Sequence, residues 1–323
     1  MVSTSAVHLA VTLNVQQVPS EGDQVRASSA VSSPGGGFII AEGARRQGVR
    51  TFLASPLGTG PNSHSIRRSL MASGIETFDT AFVGDIGVAV TMVESDGKMA
   101  QVVAPGVEAE PTRELLDQIP LEDGDLVHVS GADLVSASGA TAIVKWVKDL
   151  PEGVRLVVAA SPAVALVPTE VWLEVLARAD VLTINIREAA LLNALLKPYV
   201  TAEWFQGVVK PTVGVVRRMG PLGCEVIEDA GKKRKTIPAM TARPVDTTGV
   251  GDTHVAVMCA SLLRGDSLVD ACRRANAAAA IEISHATAFP LPSSDAVDIV
   301  LATGDARDAL EVEAEATFPL RQE

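Results

Sequence analysis

The sequence predicts an α/β fold with a doubly wound, mostly parallel sheet and helices on both of its faces. Short apolar runs alternate along the chain with longer segments of helical periodicity, which indicates right-handed βαβ units. The runs themselves are almost continuously apolar, as in VRLVVAA at 154–160. Strands of this kind suit a parallel sheet that is covered on both faces.

The individual elements follow from the same patterns. We expect strands at Arg50–Ser55, Leu126–Ser130, Arg155–Ala159, Val181–Asn185 and Val213–Arg217. We expect helices at Phe38–Gln47, Ser138–Leu150, Glu170–Arg178 and Glu188–Leu196, with Gly48 placed to end the first of them.

Two segments, 7–33 and 82–105, break the alternation because they resemble antiparallel strands inserted into an α/β chain. Asp96-Gly97 lies between two β-like runs and is a strong hairpin signal. These segments predict a small β-sheet lid beside the main sheet, and the alternative is that they are edge strands of one sheet. A length of 323 residues favours two domains or one large domain with an appendage, and we expect one domain over 1–323 with a lid.

Composition excludes several classes of protein. Hydrophobic residues make up 47% of the chain and charged residues 20%, which argues against a mainly disordered protein. The formal net charge of −12 argues against nucleic acid or an anionic membrane as the main partner. Aromatic residues are only 3%, so a surface that stacks nucleic-acid bases is also disfavoured.

The cysteines and the apolar runs bear on the compartment. Cys224, Cys259 and Cys272 are widely spaced and form no CxxC pair, which supports neither a zinc site nor a disulfide framework. No apolar run approaches the ~20 residues of a spanning helix, and residues 1–17 do not resemble a signal peptide. We therefore expect a cytoplasmic protein.

The strongest chemical signal is the segment Asp246–Thr253, which reads DTTGVGDT. Apolar residues at helical spacing follow it up to Leu263, so its glycines lie in the turn that opens a helix. Bare backbone N–H groups and the helix dipole make such a turn a phosphate site. Asp252 would then accept a proton from a hydroxyl that attacks phosphorus, although an Asp there also serves as an ordinary capping residue.

This segment resembles the D-T-x-G-A-G-D signature of the PfkB/ribokinase family of carbohydrate kinases. Four other motifs of that family have counterparts here in the same order, and the similarity runs from about residue 8 to residue 300. They are Pro34-Gly35-Gly36-Gly37-Phe38, Asn185-Ile186-Arg187-Glu188, the loop at 218–223 and the helix segment at 275–280. The resemblance implies a ribokinase-like α/β domain with a β-sheet lid.

The resemblance also implies roles for individual residues in a reaction that uses ATP and Mg²⁺. Asp252 would be the catalytic base, and Gly249, Val250 and Gly251 would form the anion hole for the transferred phosphoryl group. The implied nucleotide-site residues are Asn185, Glu188, Gly220, Gly223 and Asn276, with Glu188 holding Mg²⁺ through water. Asp246 and Thr248 would bind a monovalent cation such as K⁺, and the glycine motif at Gly35, Gly36 and Gly37 would contact the acceptor.

The sequence departs from the family pattern on the acceptor side. Ala10 stands near the place of an Asp that binds sugar hydroxyls, and Asn14 is the nearest polar candidate in that strand. Ile39 and Ile40 stand where the family has an Asn. We expect an ATP-dependent kinase for a sugar or sugar-like small molecule, acting as a homodimer paired through the lid. The alternatives are a kinase of nucleosides or other small alcohols, and a non-catalytic nucleotide- or metabolite-binding protein.

Overall fold

The computed structural model describes residues 1–96, 98–285 and 290–310, and these residues form fifteen strands and nine α-helices. The strands are β1 (Val2–Ser3), β2 (Val7–Val15), β3 (Ser29–Gly36), β4 (Phe52–Leu53), β5 (Leu57–Gly58), β6 (Glu76–Thr77), β7 (Ala81–Phe82), β8 (Val88–Glu94), β9 (Met99–Ala104), β10 (Leu126–Ser130), β11 (Arg155–Ala159), β12 (Val181–Asn185), β13 (Gly214–Arg218), β14 (Cys224–Glu228) and β15 (Lys233–Ile237). The helices are α1 (Gly37–Arg46), α2 (Pro61–Ala72), α3 (Arg113–Leu116), α4 (Ala137–Lys148), α5 (Thr169–Arg178), α6 (Ile186–Leu196), α7 (Val250–Leu263), α8 (Leu268–Ile283) and α9 (Ser294–Thr303).

The main sheet has nine strands in the order β15-β14-β13-β12-β11-β10-β1-β4-β6. All neighbours from β6 to β13 pair in parallel, and only β14 and β15 add antiparallel strands at one edge. The mostly parallel sheet that the apolar runs predict is therefore confirmed. Three predicted strands, β10, β11 and β12, have the predicted bounds, while the expected Arg50–Ser55 is reduced to the two residues of β4.

Alternate residues of the central strands are buried against two different layers of helices. In β11, Leu156 and Val158 pack with α4 and α5 residues such as Trp146 and Trp172, whereas Val157 packs with α7 and α8. Both sets are buried, which explains why the strand sequence is continuously apolar rather than alternating. No helix of the described residues is long and apolar enough to cross a membrane.

The segments that break the alternation form a separate sheet of four strands in the order β3-β2-β8-β9. Its outer pairs are antiparallel, as expected, but β2 and β8 pair in parallel, so the expectation of purely antiparallel strands was wrong. After β3 the chain leaves this sheet to build α1, α2 and part of the main sheet. It returns as β8, which runs in the same direction as β2. The predicted Asp96-Gly97 turn includes Gly97, which lies outside the described residues.

The strand order reverses direction at β1, whose two neighbours β4 and β10 belong to opposite halves of the main sheet. Open α/β sheets bind ligands at the carboxyl ends of the strands at such a point. Here the buried Asp133 joins the two halves: it accepts hydrogen bonds from Thr4 Oγ1 (2.9 Å), the Ala6 amide (2.9 Å) and the Ser130 amide (3.0 Å). Burial raises the pKa of Asp133 to about 6, and the three donors oppose that rise.

Replacing Asp133 by Asn should destabilise the protein, because an amide places N–H groups against donors that now face carboxylate oxygens. We expect a loss of about 2 kcal/mol in the free energy of unfolding, the usual cost of buried groups left unpaired. Urea unfolding at pH 7 measures it. Asp149→Asn is the control, since Asp149 is exposed and forms a surface ion pair with Arg113. Equal midpoints for the two variants would contradict the role assigned to Asp133.

Candidate active site

Helix α7 begins with an exposed set of backbone donors. Its N-cap residue, Gly249, adopts the left-handed conformation (φ 74°) and, as a glycine, has no side chain that could cap the helix. The first N–H groups of a helix have no acceptor within the helix, and the macrodipole makes this end positive. Val250 and Gly251, the first two helical residues, add such donors to an end that suits a phosphate group.

Asp252 is the third residue of α7 and stands beside these donors. Its side chain reaches solvent, but surrounding protein removes enough water that desolvation raises its pKa to about 6. Attraction to Arg218 lowers the pKa, while repulsion from Glu188 and Asp133 raises it. A carboxyl group with a pKa near 6 is well suited to accept a proton close to neutral pH.

Asn185 and Glu188 lie at the junction of β12 and α6, where they form a reciprocal capping box. The Asn185 side-chain oxygen accepts from the Glu188 amide (2.8 Å), and Glu188 Oε2 accepts from the Asn185 amide (2.9 Å). The Asn185 side-chain amide also donates to Glu188 Oε1 (2.7 Å). The pair is thus held rigidly at the carboxyl edge of the main sheet, and burial raises the pKa of Glu188.

Arg218 ends β13 and links this pair to α7. Its guanidinium donates to Glu188 Oε2 (3.2 Å) and to the Gly251 carbonyl oxygen (3.2 Å). The sequence analysis assigned no role to this side chain. The signal available in the sequence was its position at a predicted strand end next to a glycine loop. The structure adds that Arg218 pairs in register with Asn185 across β12 and β13.

The glycine turn before α1 fits tightly against the start of β2. A Cβ on Gly37 would lie 2.0 Å from the Ser5 carbonyl oxygen, and one on Gly36 would lie 2.4 Å from that of Ala6. The space beside Gly35 and Gly36 is filled by the imidazole of His8, whose pKa burial lowers. His8 is a polar neighbour of the turn that the sequence analysis did not identify.

Ile39 connects the glycine turn with the start of α7. Its Cδ1 atom lies 3.3 Å from the position that a Cβ on Gly249 would occupy. Glu282 Oε1 lies 3.6 Å from the same position, so one apolar and one acidic side chain border the helix end. Ile40 points elsewhere, into the core under the sheet, and is 3% exposed. Of the two isoleucines that the sequence places in this motif, the structure brings Ile39 to the site.

Asn14 lies further along β2 and is exposed. Its side-chain amide donates to Ser29 Oγ across the strand pair (2.7 Å). Asn14 lies on the same face of β2 as His8 and Ala10, because alternate residues of a strand share a face. His8, rather than Asn14, is the polar residue of this strand that contacts the glycine turn.

The predicted nucleotide loop occupies a short helical turn at Gly220–Leu222 between β13 and β14. Gly220 (φ 58°) and Gly223 (φ 86°) both have positive φ, and a Cβ on Gly223 would lie 2.1 Å from the Ile237 carbonyl oxygen. Asn276 on α8 supports the strand next to this loop: its amide donates to the carbonyls of Ile237 (3.1 Å) and Pro238 (3.0 Å). The Asn276 side-chain oxygen also contacts buried His254 Nε2 (3.2 Å). Both polar atoms of the Asn276 side chain therefore already bond to other residues of the protein.

The loop before α7 carries the predicted monovalent-cation residues. Asp246 Oδ1 accepts from the Thr248 amide (2.9 Å), and the amide of Asp246 bonds to the Ile283 carbonyl at the end of α8 (3.3 Å). Glu282 lies next to them and is 5% exposed. Burial, together with repulsion from Asp246, raises the pKa of Glu282 to about 8. This second carboxyl group was not foreseen from the sequence.

The structure therefore brings an uncapped helix end, the Asp252 carboxylate, a glycine loop and the capping pair Asn185 and Glu188 to the carboxyl edge of an open α/β sheet. These features define a class of α/β protein that binds phosphate groups at the start of a helix. The sequence model of the pfkB family carbohydrate kinases matches residues 3–293 of the chain. The chain belongs to this family, and it is a phosphotransferase with an alcohol group as acceptor.

Individual relatives differ in the acceptor that their names give. The chain is 27% identical over 248 residues to an uncharacterised sugar kinase, YegV, of Escherichia coli, covering 76% of each protein. It is 27% identical over 302 residues to an ATP-dependent ribose-1-phosphate kinase of Halopiger xanaduensis, covering 92% of this chain and 96% of the relative. The solved nucleoside kinase of Methanocaldococcus jannaschii superposes with a TM-score of 0.77 at 18% identity, covering 94% and 98%.

Proposed function

We propose that the protein transfers the γ-phosphoryl group of ATP to a hydroxyl group of a sugar or sugar-like small molecule, with Asp252 as the general base. The observation that carries this proposal is the position of Asp252 in the first turn of the uncapped helix α7, with its pKa raised to about 6 by desolvation. An acceptor hydroxyl between Asp252 and a phosphate at the helix end would be oriented for attack.

The chemical step follows from this placement. The acceptor oxygen forms a bond to the γ-phosphorus, its proton moves to an Asp252 carboxylate oxygen, and the bond between the γ-phosphorus and the bridging oxygen of ADP breaks. Charge on the equatorial phosphoryl oxygens is stabilised by the backbone N–H groups at Gly249, Val250 and Gly251. Gly220 and Gly223, which both have positive φ, would border the rest of the nucleotide.

Mg²⁺ fits the pair Asn185 and Glu188 at the start of α6. Carboxylate and amide oxygens are its preferred protein ligands, and the ion usually keeps several waters. Both Glu188 oxygens already accept hydrogen bonds from Asn185, so we propose that Glu188 holds the ion through water. Bound there, the ion would neutralise charge on the nucleotide phosphates.

A monovalent cation fits beside Asp246 and Thr248. Glu282 Oε2 is buried, accepts no hydrogen bond among the described residues and lies 3.7 Å from His285 Nε2. The effect of Asp246 on the pKa of Glu282 shows that this carboxyl group is close to the loop. An ion such as K⁺ would supply positive charge there and hold the loop that leads into α7. Asp246 and Glu282 are this chain's own candidates for its binding.

Two further acceptor classes remain within the proposal. The solved relative with nucleoside kinase activity in its name makes a nucleoside acceptor the second candidate. The apolar contact between Ile39 and Gly249 also favours an acceptor with fewer hydroxyl groups than ribose. Binding of nucleotide without any acceptor would instead support a non-catalytic binding protein.

The substitution Asp252→Asn should lower kcat on an identified acceptor by about 10²–10⁴-fold, because an amide accepts no proton from the hydroxyl. Nucleotide binding and the unfolding midpoint should change little. Asp295→Asn is the matched control, since Asp295 also lies in the first turn of a helix, α9, and is exposed. A screen of phosphoryl transfer over sugars, sugar phosphates and nucleosides identifies the acceptor. Turnover by Asp252→Asn close to that of the wild type would refute the base.

The same residue predicts a pH dependence. Since the base must be ionised and its pKa is about 6, kcat/KM should fall about tenfold per unit as the pH drops below 6 and level off above 7. The residual activity of Asp252→Asn should lack this step. Initial rates between pH 5 and 8 in buffers of equal ionic strength measure it, and an unchanged step in the variant would assign it to another group.

Ribose and other unsubstituted polyols should bind poorly, with a dissociation constant weaker than about 1 mM, because Ile39 and Ala10 satisfy no hydroxyl. Each buried polar group left unpaired costs about 1–3 kcal/mol. Calorimetry should show tighter ribose binding for Ile39→Asn than for the wild type. The control Leu166→Asn, at an exposed position, should leave the ribose affinity unchanged. ATP with Mg²⁺, or ADP, should still bind to all three proteins. Tight binding of ribose to the wild type would overturn the argument.

We propose that the small sheet also pairs two subunits into a homodimer. The strand registers place Val11, Val90 and Val102 side by side on one face, opposite to the face of His8 and Ala10. Val102 is 62% exposed, and the outer strands β3 and β9 leave their edges open within the described residues. Exposed apolar faces and open edges of this kind favour association.

Light scattering at about 20 µM should give the mass of a dimer, since a stable interface has a dissociation constant well below that concentration. Val102→Lys should shift the protein toward the monomer by placing a charge in the apolar face. Met71→Lys should leave the mass unchanged, because Met71 is an exposed residue of α2 outside the small sheet. A monomeric wild type at this concentration would contradict the proposal.

A further inference from the structure

Arg218 lies at an electrostatically unusual place. Its guanidinium reaches Glu188, in the first turn of α6, and the carbonyl of Gly251, in the first turn of α7. The N-terminal ends of helices are positive, so cations are normally unfavourable there. Here the carboxylates of Glu188 and Asp252 offset that unfavourable field, and they place the guanidinium beside the helix end where a phosphate group would bind.

The contacts that hold Arg218 are long. Both measure 3.2 Å, whereas charge-assisted hydrogen bonds usually measure about 2.7–2.9 Å. The neighbouring Arg217 provides an internal comparison, because its guanidinium lies 2.8 Å from Glu225 and stacks over Trp204 at 5.1 Å. Arg218 is therefore held more loosely than its neighbour, although its side chain is only 16% exposed.

The charge around Arg218 is otherwise negative. Glu188 and Asp252 both interact with it, and it lowers the pKa of each. A nucleotide triphosphate would bring several more negative charges to the same edge of the sheet. The guanidinium offsets one of the two carboxylate charges, which lowers the repulsion that an approaching phosphoryl group meets, and its donors can bond to phosphoryl oxygens.

We propose that Arg218 is a catalytic residue that contacts the transferred phosphoryl group directly. When the triphosphate binds, the guanidinium exchanges its long bond to the Gly251 carbonyl or to Glu188 for a shorter bond to a phosphoryl oxygen. The remaining contact keeps it aligned with Asp252. The inference rests on the proposed function, because it assumes that the phosphoryl group lies at the start of α7.

The first test measures binding and needs no acceptor. Calorimetry with Mg²⁺ compares a non-hydrolysable ATP analogue with ADP on the wild type, Arg218→Gln and Arg218→Lys. Arg218→Gln should weaken binding of the analogue about 10–100-fold, the range for a charged hydrogen bond, and change ADP binding less than about threefold. Arg218→Lys should restore part of the preference for the triphosphate, since it keeps the charge but not the planar fork.

The matched control is Arg217→Gln, which removes an arginine one residue away on the opposite face of β13. It should leave the ratio of the two affinities unchanged. Equal losses for analogue and ADP in Arg218→Gln, with a lowered unfolding midpoint, would show a structural role and overturn the proposal. An unchanged ratio in Arg218→Gln would overturn it as well.

The second test uses turnover. On an acceptor identified for the wild type, Arg218→Gln should lower kcat by about 10²–10³-fold, with a smaller effect on the KM of the acceptor. Activity of Arg218→Gln equal to that of the wild type would overturn the role of Arg218 and leave the proposed function intact. A wild type that transfers to no acceptor, yet prefers the triphosphate through Arg218, would instead refute the proposed function and support the phosphate contact.

Discussion

The candidate site has to hold the Asp252 carboxylate next to a negatively charged phosphate group. In the proposed reaction a carboxylate base lies beside a phosphoryl group, and in water these groups repel each other. The chain meets this constraint with the uncapped start of α7. The N-cap residue of α7 is Gly249, whereas α6 begins with Asn185, whose side chain caps that helix. A capping side chain at Gly249 would occupy the donors that phosphate needs.

Close backbone approach is the second requirement, and it explains why glycines cluster at this edge of the sheet. The Gly36-Gly37 turn lies against the carbonyls of Ser5 and Ala6, and Gly223 lies against that of Ile237. Any side chain at these positions would separate the segments that carry the site. Asp133 then fixes the start of β2 to β10 by accepting the Ala6 amide and the Thr4 hydroxyl. Glycine packing and one buried carboxylate thus set the position of the glycine turn.

The sequence allowed the main sheet to be predicted where local pattern determines structure. The central strands β10, β11 and β12 were predicted with their observed bounds, because each is a short apolar run between turns and helices. The parallel pairing of β2 with β8 was not foreseen, since it depends on where the chain returns after α1 and α2. Periodicity describes single segments, and it carries no information about that return.

The predicted site was likewise most complete where its residues are close in sequence. Local motifs predicted Asp252 and the capped pair Asn185 and Glu188, and their roles stay predictions. Arg218, His8 and Glu282 were missed, because each is placed at the site by contacts with residues distant in sequence. Arg218 contacts Gly251, and His8 lies against Gly35. A single arginine or histidine has no local signature that distinguishes a surface residue from one aimed into a site.

The two halves of the site are under different physical demands, which explains why most of the chain's departures from the family pattern lie on the acceptor side. Phosphoryl transfer requires backbone donors and fixed charges, and these are provided by α7 and its surroundings. Acceptor recognition requires side chains that match particular hydroxyl groups, and here Ile39 and His8 border the glycine turn instead. The names of three relatives give a sugar, a sugar phosphate and a nucleoside as their acceptors. Specificity in this chain is therefore to be sought in the small sheet and the start of α1, where a change of side chain leaves the phosphate-binding backbone undisturbed.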